Sequence, residues 1–119
     1  MATGELDRAR EVVGAFQPRS AHEDLALITG RAIMAEASGE SQEAAKLFAE
    51  AAQAWQGFGN VVDAGRSLLG VGRCLVVVGR NTEAAERLRE AREVFRKLGA
   101  IKLTGEADDW LERATALSS

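Results

Sequence analysis

The chain has 119 residues with one cysteine, one proline, no tyrosine and a formal net charge of -3. This length is expected to form one domain, and a lone cysteine excludes an internal disulfide and indicates a reducing compartment, which predicts a cytoplasmic location. The charge offers no overall attraction to a phosphate backbone, and no apolar run approaches the ~20 residues that cross a bilayer, so neither nucleic acid nor a membrane is expected as a partner.

Six helices are predicted along the chain. Apolar residues recur every three or four positions, and the helix-favouring residues Ala, Leu, Glu and Arg are abundant. The first helix is expected to end before Pro18, since the residue ahead of a proline avoids helical geometry. The predicted helices cover residues 5–16, 20–37, 41–57, 61–78, 81–98 and 101–117.

Local signals mark where these helices begin and end. Ser20 opens a capping-box pattern, and Ser41 and Asn81 (or the threonine after it) are expected to cap the third and fifth helices. Gly39 and Gly79 are expected to end helices by adopting a left-handed conformation. The loops are two to four residues long, which predicts that consecutive helices lie antiparallel and in contact.

The chain repeats itself at a spacing of 40 residues. Residues 39–45 correspond to residues 79–85, and Trp55 corresponds to Phe95. A unit duplicated in this way stacks on its neighbour because it cannot bury its apolar face alone. We therefore predict an all-α stack of antiparallel helix pairs forming one domain over residues 1–119, with an N-terminal helix within 1–18, repeat one at 20–59, repeat two at 60–99 and a C-terminal helix at 100–119.

Small residues are expected where the helices approach most closely, because Ala or Gly permits short distances between helix axes. A bulky replacement such as Ala84→Leu should cost about 1 to 3 kcal/mol by overpacking. The predicted contact positions are Ala32, Ala44, Ala51, Gly72, Ala84 and Ala91.

This pattern of small and large residues resembles the tetratricopeptide repeat. Arg31 and Ala35 depart from it, since the family usually has leucine and tyrosine there, and an unrelated antiparallel bundle is the alternative fold. The period of 40 exceeds the family's usual ~34 residues and, with residues 91–100, resembles repeats attached to bacterial signalling ATPases and transcriptional activators. The matching positions are Ile28, Ala32, Gly39, Ala44, Phe48 and Ala51 in repeat one, and Leu68, Val71, Gly72, Leu75, Gly79, Ala84, Leu88 and Ala91 in repeat two.

The resemblance implies that the first helix of each pair lines a concave groove that binds a peptide. Carried onto this chain, the groove has two arginines and an apolar strip at its middle and carboxylates at one end, which suits a peptide with acidic and apolar residues. The alternative is that Arg66 and Arg73 form an ordinary solvated helix face, which is the more common role of a surface arginine. The predicted groove residues are Thr29, Ile33, Glu36, Arg66, Leu69, Arg73, Val76, Val77, Asp109 and Arg113, with Ala26, Ala37 and Glu106 beside them.

Three functions follow as hypotheses. The favoured one is a non-catalytic module that binds a peptide or partner domain, either as an adaptor or as part of a bacterial regulatory protein. The second is a homodimer formed through the apolar last helix, with the amphipathic first helix (Leu6, Ala9, Val12, Val13 and Phe16) capping the other end. The third is a sensor of a small ligand or nucleic acid that uses Arg66 and Arg73.

No pattern in the sequence indicates catalysis. His22 is the only histidine, so no zinc-binding His-Glu-x-x-His spacing exists. Cys74 lies in an apolar run, where the pKa of a thiol tends to rise. Gly65, Gly70 and Gly72 imitate a phosphate-binding loop but lack the lysine that should follow. We therefore predict no enzymatic activity, no metal and no cofactor.

Overall fold

The structure, a computed structural model, describes residues 21–118 and consists of five α-helices over that range. The predicted helix at 5–16 and the capping serine Ser20 lie outside the described residues. Residues 21–118 contain no strand, so the all-α prediction is confirmed, and the bounds agree with the predicted ones to within one residue. The helices are α1 (Ala21–Ala37), α2 (Ser41–Gly57), α3 (Val61–Val77), α4 (Asn81–Leu98) and α5 (Ile101–Ser118).

A glycine ends each of the first four helices, and these glycines recur every twenty residues. Their φ angles are +84° at Gly39, +76° at Gly59, +87° at Gly79 and +73° at Gly99. At the first turn the amide of Gly39 donates to the carbonyl of Glu36, and the next amide donates back to Ala35. These two hydrogen bonds satisfy the last carbonyls of the helix, and their geometry requires a residue in the left-handed conformation. The prediction that Gly39 and Gly79 end helices is confirmed.

The predicted serine and asparagine caps are wrong by one residue. The amide of Ala44 already donates to the carbonyl of Glu40 at 2.9 Å, so α2 begins before Ser41 could cap it. The cap positions of α2 and α4 carry no side-chain bond, and Oδ1 of Asn81 is buried with no partner among the described residues. Asn60, in contrast, caps α3 by accepting from the amide of Asp63 at 3.2 Å.

Each helix packs against the next, and α3 also touches α5. Short turns between packed helices make consecutive helices antiparallel. The five predicted contact alanines are all 0% exposed, which confirms their role. A Cβ added to the sixth position, Gly72, would lie 2.4 Å from Cγ of Leu88, a distance that no real pair of carbons tolerates. The stack therefore has two layers, with α1, α3 and α5 in one and α2 and α4 in the other.

The last helix directs most of its described apolar residues inward. Ala107 and Ala114 are fully buried, and Trp110 and Leu111 pack against the core. The outer surface of α5 is polar, and Asp108 there forms a 2.9 Å ion pair with Arg92 of α4. Four of the apolar residues that suggested a homodimer through this helix are thus used within the chain, whereas Ile101 at its start is 85% exposed, and the homodimer stays a prediction.

Candidate functional site

A groove of about 420 Å³ lies on the layer formed by α1, α3 and α5. Five of the predicted groove residues line it together: Thr29 and Ile33 from α1, and Arg66, Leu69 and Arg73 from α3. Side chains that were not predicted, or were only noted beside the prediction, complete it. These are Asp63 and Ser67 of α3, Leu103 and Glu106 of α5, and Phe48 and Trp55, which reach in from α2.

Trp55 fixes one wall of the groove by joining α2 to α1. Its indole Nε1 donates to Oγ1 of Thr29 at 3.0 Å, and that hydroxyl in turn donates to the carbonyl of Leu25 at 2.9 Å. The ring itself is 5% exposed and clusters with Leu25. A buried indole normally finds an acceptor, and here Thr29 supplies it. Thr29 is therefore half-buried and serves the wall of the groove more than its opening.

Arg73 and Glu36 join α3 to α1 across the groove. The guanidinium Nε and Nη2 donate to the two carboxylate oxygens at 2.6 and 2.7 Å, a bidentate pair, and the guanidinium carbon lies 5.8 Å from the centre of the Phe48 ring. Hydrogen bonding to Arg73 lowers the pKa of Glu36, and the same bond raises the pKa of Arg73. Both side chains are about three-quarters buried. Such a pair fixes geometry, because two parallel hydrogen bonds hold the guanidinium against the carboxylate.

Arg66 differs from Arg73 although both arginines were predicted together. It lies on the exposed side of α3, and no carboxylate within residues 24–116 forms an ion pair with it. Ile33, 55% exposed, lies across the groove on α1. The opening thus combines one available cation with an accessible apolar side chain.

The remaining predicted residues do not line this groove. Val76 packs against the core, and Val77, 64% exposed, borders a separate depression beside the α1–α2 turn. On α5, Asp109 is exposed and the guanidinium of Arg113 lies 4.5 Å from the centre of the Trp110 ring. The 40-residue spacing placed these residues in register, but the groove is lined by the N-terminal and middle parts of α3 and α5 and does not reach their C-terminal ends.

A second, larger groove of about 730 Å³ runs on the opposite layer between α2 and α4. The sequence reading missed it, because it lies where two helices fail to meet and no residue pattern marks a gap. Its floor is Ala52, Leu68 and Val71. Its charged rim is largely compensated within α4, where Arg87 bonds to Glu90 at 2.9 Å.

The described residues offer little for chemistry. Cys74 is 0% exposed, and burial raises its pKa to about 12, so the thiol stays protonated near neutral pH. No group of three or more metal-ligating side chains occurs between residues 21 and 118, and no helix in that range is long and apolar enough to cross a membrane.

The family model described as tetratricopeptide repeat matches residues 24–97, which is more than half of the chain. Neither a curated protein nor a solved structure matches the chain.

Proposed function

The chain belongs to the tetratricopeptide repeat family, whose repeats generally mediate interactions between proteins, and we propose that it binds a segment of a partner protein in the groove across α1, α3 and α5. The observation that carries this proposal is the groove itself, because side chains from three different helices converge on one opening. A concave surface with an apolar middle and a few polar groups is the usual form of a binding site.

The two arginines have different roles in this proposal. Arg66 is the cation that a ligand can reach, so it would pair with an acidic group of the partner while Ile33 and Leu103 contact an apolar side chain. Arg73 already bonds to Glu36 and also lies close enough to Glu106 for that carboxylate to raise its pKa. It would hold three helices in position and leave recognition to Arg66.

Finer assignments rest on narrower support. We propose that the module is non-catalytic and regulatory, of the long-repeat type found in bacterial signalling ATPases and transcriptional activators, because the turns recur at 40 residues per helix pair. A cytoplasmic location is proposed from the free, fully buried thiol of Cys74, which suits a reducing compartment.

A random-peptide display library panned on the full chain tests the groove. Peptides selected on the wild type should bind Arg66→Glu at least about tenfold more weakly, since an exposed cation becomes an anion facing an acidic group. The matched control is Arg89→Glu, which makes the same change of charge at an exposed position of α4.

The control separates groove binding from general charge effects. Equal losses in both variants would show that only net charge matters, and unchanged binding of every peptide to Arg66→Glu would overturn the groove assignment. Raising the ionic strength should weaken the wild-type complex only moderately, because the contact is largely apolar. A collapse of binding with salt would favour an anion sensor instead.

A further inference from the structure

One face of α1 is apolar and open. It consists of Leu27, Gly30 and Met34, and we call it the leading face of α1. Leu27 is 43% exposed and Met34 70% exposed. A Cβ built on Gly30 would meet no atom within 4 Å. Among the described helices, α2 packs on the other side of α1 and none packs here.

The same positions are covered on the equivalent helices. Forty residues further on, they are Ser67, Gly70 and Cys74 of α3, all of which are buried, and a Cβ on Gly70 would lie 2.7 Å from Cγ of Phe48 in the preceding helix. Eighty residues further on they are Ala107, Trp110 and Ala114 of α5; both alanines are 0% exposed, and the tryptophan packs on the core. In both cases the face is covered in the packed stack, and on α3 the helix before it supplies the covering ring. The leading face of α1 is the corresponding surface of the first described helix, and no described helix covers it.

The chain ahead of α1 carries the sequence of such a helix. Ala9, Val12, Val13 and Phe16 stand 39 residues before Phe48, Ala51, Ala52 and Trp55, which are four of the six positions by which α2 is buried. The lengths of the connecting segments also correspond. Four residues, 17–20, separate Phe16 from the start of α1, and five, 56–60, separate Trp55 from the start of α3.

We propose that residues 5–16 pack on the leading face of α1 as α2 packs on α3, so that the repeat array includes a helix ahead of α1. Ala9 would meet Gly30 where Phe48 meets Gly70. Alanine is smaller than phenylalanine, so the Cβ of Ala9 can approach Gly30 without the overlap that a ring would cause. This inference is independent of the groove, which lies on a different side of α1.

Disulfide trapping in the full chain tests the contact. The variant Ala9→Cys/Gly30→Cys should form an intrachain disulfide under mild oxidation. At the corresponding contact, a Cβ on Gly70 would lie 2.7 Å from Cγ of Phe48, which is one bond from the Phe48 Cβ. The two Cβ atoms are therefore close to the ~3.5 to 4.5 Å separation that a disulfide requires. The control is Glu11→Cys/Gly30→Cys, since position 11 corresponds to the exposed Glu50. Cys74 is fully buried and should not compete.

Labelling provides a readout that does not depend on the double variant. Met34→Cys should react with a maleimide at least about tenfold more slowly than Ile101→Cys, a position that is 85% exposed on α5. The proposal is overturned if the two single cysteines label equally fast, if both cysteine pairs oxidise at the same rate, or if Ala9→Cys/Gly30→Cys yields only disulfide-linked dimers, which would make a second copy the occupant of the face.

Discussion

Helices α1 and α3 hold the same position in two successive repeats, yet their surroundings differ. α3 lies between α2 and α4 and is buried along ten of its positions. Among the described helices α1 packs mainly on α2 and reaches α3 through the Glu36–Arg73 ion pair, and large apolar side chains such as Ile33 and Met34 are exposed. Gly70 contacts the Phe48 ring, while no described residue lies within 4 Å of a Cβ built on Gly30. The comparison teaches that the neighbours of a helix decide what a repeated residue does.

The two repeats also divide the core volume differently. In repeat two, a Cβ on Gly65 would lie 2.8 Å from the ring of Phe95, so a glycine faces an aromatic residue. The equivalent residues of repeat one are Leu25 and Trp55, which lie in one cluster and are both nearly buried. One pair combines the smallest residue with a large ring, and the other combines two large side chains. Repeat two should therefore tolerate added volume less well.

The largest effect is expected at the α3–α4 contact. Leu88→Ala should cost about 2 to 5 kcal/mol, since it empties a fully buried site. Gly72→Ala should cost about 1 to 3 kcal/mol because its Cβ would overlap Leu88. Chemical denaturation of the double variant should show a destabilisation well below the sum, as each change relieves the other. Additive values would mean that the two residues are not in contact.

Two matched glycine substitutions compare the surroundings of α1 and α3 directly. Gly70→Ala should destabilise the fold by about 1 to 3 kcal/mol, because Phe48 must move away from the new Cβ. Gly30→Ala, at the same position of α1, should instead stabilise it by about 0.5 to 1 kcal/mol through helix propensity. Thermal melting of both variants provides the measurement. Equal shifts in the same direction would remove the distinction between the two helices.

A smaller effect is expected from the ion pair that joins the two helices. Glu36 has a lowered pKa, so its contribution is present above the ordinary value of 4.5 and is lost as the pH falls through the lower, folded-state pKa. Glu36→Gln should therefore cost about 1 kcal/mol at neutral pH and progressively less below pH ~4.5. Unfolding measured across this range tests the prediction.

The control for this variant is Glu93→Gln. Glu93 also bonds to an arginine, Arg96, but both residues lie on α4 and are exposed to solvent. Its replacement should leave the free energy of unfolding nearly unchanged at every pH. A pH dependence as large as that of Glu36→Gln would show that bridging α1 and α3 is not what matters.

The sequence predicted the groove only in part. A period of 40 placed Thr29, Ile33, Arg66, Leu69 and Arg73 on the correct helices, and all five line the opening. It could not show that Phe48 and Trp55 reach through from α2, because that depends on the gap between α1 and α3. The pairing of Arg73 with Glu36 was also invisible, since it joins residues 37 positions apart whose side chains were each assigned to solvent or ligand.

Local sequence signals by themselves determined the helices and their turns. These signals are the glycines at twenty-residue intervals, the 40-residue period and the small contact residues. Each follows from residue types and their spacing along the chain, and the fold agrees with them closely. Tertiary structure alone decided which arginine remains available to a ligand, which glycine packs against an aromatic ring and which apolar face no described helix covers. Those outcomes depend on what lies across from each side chain, and a residue's opposite neighbour is set by packing between helices that are distant along the chain.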